Sequence, residues 1–467
     1  MRTRAGVGLV AALLSALPGS ATLSAEAPEA EATTRRLSVP YTMFTLPNGL
    51  TVILHEDHGL PLVSVNVWYH VGSGREKPGR TGLAHLFEHL MFEGSAHVKE
   101  GQFDALLETA GGDNNGSTSP DQTNYWITVP ASALELALFL ESDRMGYLLD
   151  VVSPALIDGQ RDVVKNERRE AVENAPYGQA NVRITELLYP TDHPYHWPVI
   201  GYMEDLTAAS HDDVTEFFKR YYSPGNASLV VAGDIDPAQT RALVETWFSD
   251  VKPGRRAAPV TAPPVALTGV VRETLDDRVE LARLYLGWVT AAEFTPGDAE
   301  LRLLGHVLAG DKNSRLYRRL VYDLQIAQEV IAEQGSKALA SDFMIVVTAK
   351  PAPGRVPTTP RALIDEVRQV VDEELEKLRR EPPSEREIGR AVNQTEAAFY
   401  DAMESVAGFG GRADLLNAYY TATGNPDYFA KDLARYQALS PGDIRAAVLR
   451  WLPPDRRVEV TVLPRTQ

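Results

Sequence analysis

Ser210-His211-Asp212-Asp213-Val214 leads to Phe218, Arg220, Tyr221, Tyr222 and Pro224, and then to the apolar run Leu229-Val230-Val231. Ser440-Pro441-Gly442-Asp443-Ile444 leads in the same way to Val448, Arg450, Trp451, Leu452 and Pro454, and then to Glu459-Val460-Thr461. Every equivalent pair is separated by 230 residues. A serine followed three positions later by an acidic residue marks a helix start whose side chains and backbone cap one another. A proline then closes the helix, and the β-branched run after it reads as a strand. Two copies of one ending, at one fixed offset, point to an internal duplication.

The two copies are separated by Lys252-Pro253-Gly254-Arg255-Arg256, which runs through Pro259, Pro263 and Pro264 to Gly269 without any apolar period. Such a stretch is a linker. It divides the chain into an N-terminal domain, 38–251, a linker, 252–269, and a C-terminal homologous domain, 270–467. Strand-like Leu62-Val63-Ser64-Val65-Asn66-Val67-Trp68 in the first copy and the amphipathic stretch from Ala362 to Arg379 in the second mix the two periods. The predicted class is α+β, each domain a mainly antiparallel sheet with helices packed on one face.

With 467 residues, 44% hydrophobic and 23% charged, the chain has the composition of a globular protein of more than one domain. Arg2 and Arg4, an apolar run from Ala5 to Leu17 and small residues at Ala21, Ser24 and Ala25 predict a signal peptide over 1–25, followed by a polar tether over 26–37. The apolar run is shorter than the ~20 residues a spanning helix needs, so no integral membrane segment is expected after cleavage. The absence of cysteine excludes a lipoprotein anchor, disulfides and thiolate ligands. Export without disulfides suits a secreted protein of the bacterial periplasm. A net charge of −17 argues against nucleic acid as a partner.

In Thr81-Gly82-Leu83-Ala84-His85-Leu86-Phe87-Glu88-His89-Leu90-Met91-Phe92 a Thr-Gly turn opens a run of good helix formers. Residues i and i+4 share a helix face, so His85 and His89 can offer imidazoles to one ion. Glu88 stands at the edge of that face, where its carboxylate can act as a general base on a water acidified by the ion. H-x-x-E-H is a known zinc-peptidase pattern. A catalytic zinc needs three protein ligands and an open position. Glu167, 78 residues after His89, is the first choice for the third ligand, but Glu170 and Glu173 on the same predicted helix are not separated from it by spacing.

These residues and their surroundings resemble the pitrilysin/insulinase family of zinc peptidases, which includes mitochondrial processing peptidase. The resemblance runs from Leu46-Pro47-Asn48-Gly49-Leu50 through Trp68 to Ser73 and Gly82 to Ser95, and on through Asn115 to Tyr125, His193-Pro194-Tyr195, Ile200-Gly201 and Asn226 to Asp234. It implies one Zn2+ per chain on His85, His89 and Glu167, with Glu88 as the base. It also implies a substrate-binding edge at Asn115 to Thr118, and peptides or unfolded polypeptides as substrates. Two departures stand out. Gln160 occupies a position where the family has a glutamate supporting the ligands. Val321 and Gln328 stand where it has an Arg and a Tyr that contact substrate, so the resemblance implies a dimer, with a zinc-lacking paralogue supplying that pair. The alternative is a catalytically silent scaffold or a substrate-binding subunit. Lone His306, on the helix opposite the zinc motif in the second copy, is expected to be structural.

Overall fold

In the strand Leu62–Tyr69 alternate residues go to opposite faces, as a period of two requires. Val63, Val65, Val67 and Tyr69 enter one apolar core. Asn66 and Trp68 take the other side, where their nitrogens donate to Asp414 (3.3 and 2.9 Å). The computed structural model describes residues 37–354 and 359–465. The signal segment 1–25 and nearly all of the tether lie outside the described residues.

The first sheet is built from β1 (Thr42–Thr45), β2 (Thr51–Glu56), β3 (Leu62–Tyr69), β4 (Asp113–Thr118), β5 (Thr123–Pro130) and β6 (Ala227–Gly233) in the order β1-β2-β6-β3-β5-β4. The second uses β7 (Val271–Asp277), β8 (Arg283–Thr290), β9 (Ala327–Gly335), β10 (Ser341–Ala349) and β11 (Val458–Pro464) in the order β7-β11-β8-β10-β9. Apart from β1 the two orders match strand for strand. Among the described residues each sheet has one parallel pair, which joins the strands that come first and last along the chain in the shared set, β2 with β6 and β7 with β11, and the other pairs are antiparallel. The duplication inferred from two short endings therefore extends through the whole topology.

Both predicted helix starts are present. Ser210 caps His211–Tyr221, its Oγ accepting from the Asp213 N–H (3.1 Å) while Asp213 Oδ2 accepts from the Ser210 N–H (2.9 Å). Ser440 and Asp443 repeat this exchange at Pro441–Trp451 (3.4 and 2.9 Å). Residues 252–268 form neither helix nor strand.

Helices of each half cover one face of its own sheet, with Leu83–Leu90, Leu134–Tyr147 and His211–Tyr221 on the first and Asp298–Ala309, Pro360–Arg380 and Pro441–Trp451 on the second. The opposite faces are closed reciprocally. Helix Gly178–Leu188, from the first half, lays Ala180, Ile184 and Leu188 on Tyr285, Val458, Val460 and Val462 of the second sheet. Helix Arg412–Thr423, from the second half, covers β3 and β6 through a polar network instead. There Asp414 also accepts from Asn124 (2.9 Å), and Asn417 bridges Asn66 (2.7 Å) and Ser228 (2.6 Å). A buried donor left without its acceptor costs about 1–3 kcal/mol. We expect Asp414→Ala to lower unfolding free energy by about 2–3 kcal/mol, read as a shift of the urea midpoint. An unchanged midpoint would show that water serves these donors equally well.

Candidate metal centre

The helix Leu83–Leu90 begins after Gly82, whose φ of 86° is left-handed and favours glycine. Free N–H groups at its start are met by Glu76, whose Oε2 and Oε1 accept from the Gly82 and Ala84 N–H groups (2.9 and 2.7 Å). An acidic group suits this positive end of the helix. Glu76 is buried, and desolvation pushes its carboxyl up to about 8 against the opposing pull of those two bonds. No local pattern marks this glutamate as internal, since it stands six residues ahead of Gly82 and outside the first turn of the helix it meets.

The cap sets the histidines on the face toward a second helix, Pro154–Arg168, which starts with Ser153 as N-cap and Pro154 in its first turn. Near its end stands Glu167. His85 Nε2 lies 3.7 Å from Glu167 Oε1, and His89 Nε2 lies 3.1 Å from Glu167 Oε2. The two imidazoles meet edge to face, with centroids 4.9 Å apart. One donor atom from each of the three residues falls within 4.8 Å of the others, the one such grouping of His, Asp and Glu found among the described residues. Glu170 and Glu173 are not part of it. Glu173 pairs with Arg168 (2.6 Å).

Two imidazole nitrogens and a carboxylate are a donor set that suits zinc. Their protonation states suit it too. Burial lowers the pKa of His85, favouring the neutral ring that binds metal, and the hydrogen bond with His89 lowers that of Glu167, favouring the carboxylate. The Nδ1 of His85 is buried and has no hydrogen-bond partner.

Glu88 is on the same helix, half-buried, and Thr118 Oγ1 donates to its Oε2 at 2.6 Å. Burial raises the Glu88 pKa, and the Thr118 bond and the nearby His89 partly oppose this. Thr118 closes β4, the outermost strand of the first sheet, which pairs with β5 on its inner side. Asn115 sits on the same strand, exposed, its Oδ1 accepting from the Gly116 N–H (2.8 Å). Thr118 was expected at a binding edge, and its contact with Glu88 was not legible from sequence. Gln160 donates from Nε2 to Glu93 (2.6 Å), whose carboxyl is raised by burial and lies close enough for His89 to oppose that rise, so Gln160 is one residue removed from the converging donors.

Beneath β4 and β5, Arg144 is fully buried against Glu141 and lies over the rings of Tyr125, Phe103 and Phe92 (4.3, 4.8 and 5.2 Å). Tyr125 reaches the helix Leu83–Leu90 through its hydroxyl, which donates to the Phe87 carbonyl (3.3 Å). In the second half, Val321 lies in the wide turn Arg318–Asp323 and Gln328 is exposed on β9. Burial lowers the pKa of His306, which has Asp311 and Gln394 beside it. A cavity of about 910 Å³ is lined by Trp68, Arg75 and Asp121 from the first half and by Phe294, Arg302 and His306 from the second. None of the converging donors lines it, so the chemistry is placed by donor geometry and not by volume.

Residues 51–189 match the family described as insulinase (peptidase family M16), and residues 208–395 match the peptidase M16 inactive domain. The zinc protease PqqE of Helicobacter pylori is 30% identical over 380 residues, covering 80% of this chain and 82% of that protein. The mitochondrial-processing peptidase subunit beta of Blastocladiella emersonii is 28% identical over 283 residues, 59% of this chain and 58% of that one. Among solved structures, a protease from Helicobacter pylori superimposes with a TM-score of 0.81 at 26% identity, covering 92% of this chain and 100% of its own. A peptidase M16 inactive domain from Pseudomonas fluorescens shares the fold at a TM-score of 0.78 and 17% identity, over 92% of this chain and 98% of that one. With the duplicated α+β sheets and the converging His85, His89 and Glu167 beside these matches, the chain belongs to the insulinase family, peptidase family M16.

Proposed function

We propose that this chain is a zinc-dependent endopeptidase that hydrolyses peptides and unfolded polypeptides, with His85, His89 and Glu167 as metal ligands and Glu88 as general base. The observation that carries the reading is the convergence of those three donors within 4.8 Å, on two helices that hold Glu88 beside them. Zinc held there supplies Lewis acidity, polarising the scissile carbonyl and acidifying the attacking water. Glu88 takes the proton of that water as its oxygen attacks the carbonyl carbon, then returns it to the amine nitrogen as the C–N bond breaks. Burial raises the Glu88 carboxyl above a free glutamate, the direction that helps it both to take and to return a proton. Thr118, bonded to Oε2, fixes the carboxylate and leaves Oε1 for the proton.

Substrate pairs as an added strand along the outer edge of β4, Asn115 to Thr118, through main-chain hydrogen bonds. The chain works in a dimer, with a zinc-lacking paralogue supplying the Arg and Tyr that Val321 and Gln328 replace here. Support comes from the similarity to a protein that is named as one subunit of a processing peptidase. The domains are those bounded at 38–251 and 270–467. The protein is exported by its first 25 residues to a bacterial periplasm, and no helix among the described residues is long and apolar enough to cross a membrane.

A silent scaffold is the competing reading, favoured by the match of residues 208–395 to an inactive domain. That match runs from the end of the first half into the second, whereas all four residues of the proposed chemistry lie ahead of it, within the segment 51–189 that matches the insulinase family. Quenched fluorescent peptides, offered to the zinc-loaded protein with and without a zinc-lacking paralogue, decide between the two. Cleavage is expected, and its absence in both mixtures would leave the scaffold.

A further inference from the structure

The three donors sit on two separate helices, so their spacing depends on what holds those helices in register. Beside the direct packing of those two helices, a contact formed largely by backbone bears on that register. Gly201, with φ +77°, packs on Gly82 so closely that a Cβ on Gly201 would stand 2.5 Å from the Gly82 Cα and 2.6 Å from its nitrogen. The converse holds as well, since a Cβ on Gly82 would meet the Ile200 carbonyl oxygen at 2.8 Å. The turn is fastened to the start of the zinc-motif helix by the Tyr202 N–H, which donates to Thr81 Oγ1 (2.9 Å), while Thr81 donates to Asp205 (2.6 Å).

From the other helix comes Arg168. Its guanidinium is buried, Nε donating to the Gly201 carbonyl (3.0 Å) and Nη1 pairing with Glu173 (2.6 Å). Glu173 stands in Arg169–Asn174, where the helix widens to a π turn immediately after Arg168. Arg168 directly follows Glu167. One side chain therefore ties the residue next to the third donor to a carbonyl of the turn that packs on Gly82, where the helix carrying the first two begins.

We infer that Arg168 is a positioning residue of the metal centre, holding Glu167 in register with His85 and His89 through the Gly201 carbonyl and the Gly82–Gly201 contact. This rests on the reading of those three residues as ligands. Arg168 touches neither metal nor substrate, and its effect is on where the Glu167 carboxylate can stand. Outer partners of metal ligands typically change affinity by about 10–100-fold.

The test is the zinc dissociation constant, measured by competition with a chromogenic chelator, for wild type, Arg168→Lys, Arg168→Gln and Gly201→Ala, with the melting temperature of each zinc-free protein taken in parallel. Arg168→Gln is expected to bind zinc about 10–100-fold more weakly. Arg168→Lys, which retains one donor toward the Gly201 carbonyl, should recover part of that loss. Gly201→Ala should weaken binding at least as much, because the added methyl would stand 2.5 Å from the Gly82 Cα and push the turn off the start of helix Leu83–Leu90. A general loss of stability would lower the zinc-free melting temperature without singling out affinity, and Arg168→Lys would then track its melting temperature alone. Unchanged affinity in Arg168→Gln beside a wild type that binds zinc would overturn the inference. A wild type that binds no zinc would overturn the ligand assignment beneath it.

Discussion

Glu88→Gln is expected to lower kcat/KM for peptide hydrolysis by about 10²–10⁴, the range of a lost general acid–base group, and to leave zinc binding unchanged. The substitution is close to isosteric. Its carbonyl oxygen can still accept from Thr118 Oγ1, which now lies 2.6 Å from Glu88 Oε2, so the helix and its neighbours have no reason to move. What the amide lacks is basicity. It can neither take a proton from the attacking water nor return one to the leaving nitrogen. Because Glu88 stands outside the group of three converging donors, the metal content of the variant should equal that of wild type. Rates within about tenfold of wild type would assign the proton transfer to another group.

Arg144→Ala should be the most destabilising single change in the first core. The guanidinium is in contact distance of three aromatic rings and is held by Glu141, whose carboxyl is itself fully buried and raised by that burial. Removing one partner of a buried pair strands the other charge and costs about 3–5 kcal/mol. Here it also withdraws the layer beneath Tyr125, the residue against which Gly116 of β4 packs. Replacing both partners by apolar residues, Arg144→Met with Glu141→Leu, should recover most of the loss, since well-packed apolar substitutes for a buried pair are often neutral. Urea midpoints of the single and double variants measure this. A single-variant cost below about 1 kcal/mol would mean that water reaches Glu141 and that the pair is not a dry one.

Features of the fold that leave a local trace were legible in the sequence. The alternation of Val63, Val65 and Val67 with Ser64 and Asn66 identified β3, and the paired endings at Ser210 and Ser440 identified the duplication. In the site, the i, i+4 spacing of His85 and His89 was enough for the pair. Spacing left Glu167, Glu170 and Glu173 open, and they separate only once the helix Pro154–Arg168 is laid against Leu83–Leu90. The remainder depends on contacts between distant segments, for which no periodic signal exists. Helices Gly178–Leu188 and Arg412–Thr423 cross to the sheet of the opposite half, and neither pattern says which sheet will receive it. Glu76 and Arg144 are charged residues of the type normally solvated. Each is internal because a specific partner meets it, the start of the zinc-motif helix for one and Glu141 with three rings for the other. Gln160, read as a supporting residue, donates to Glu93, a partner that its spacing from the motif does not name.

The zinc content of wild type and Glu167→Ala, measured by inductively coupled plasma mass spectrometry after zinc loading and dialysis, tests the metal centre most directly. About one zinc per chain is expected in wild type, as three protein ligands with an open position imply. Glu167→Ala keeps only the two imidazoles and should lose its zinc on dialysis. A wild type that retains no zinc, or a Glu167→Ala variant that retains as much as wild type, would contradict the assignment of His85, His89 and Glu167 as the ligand set.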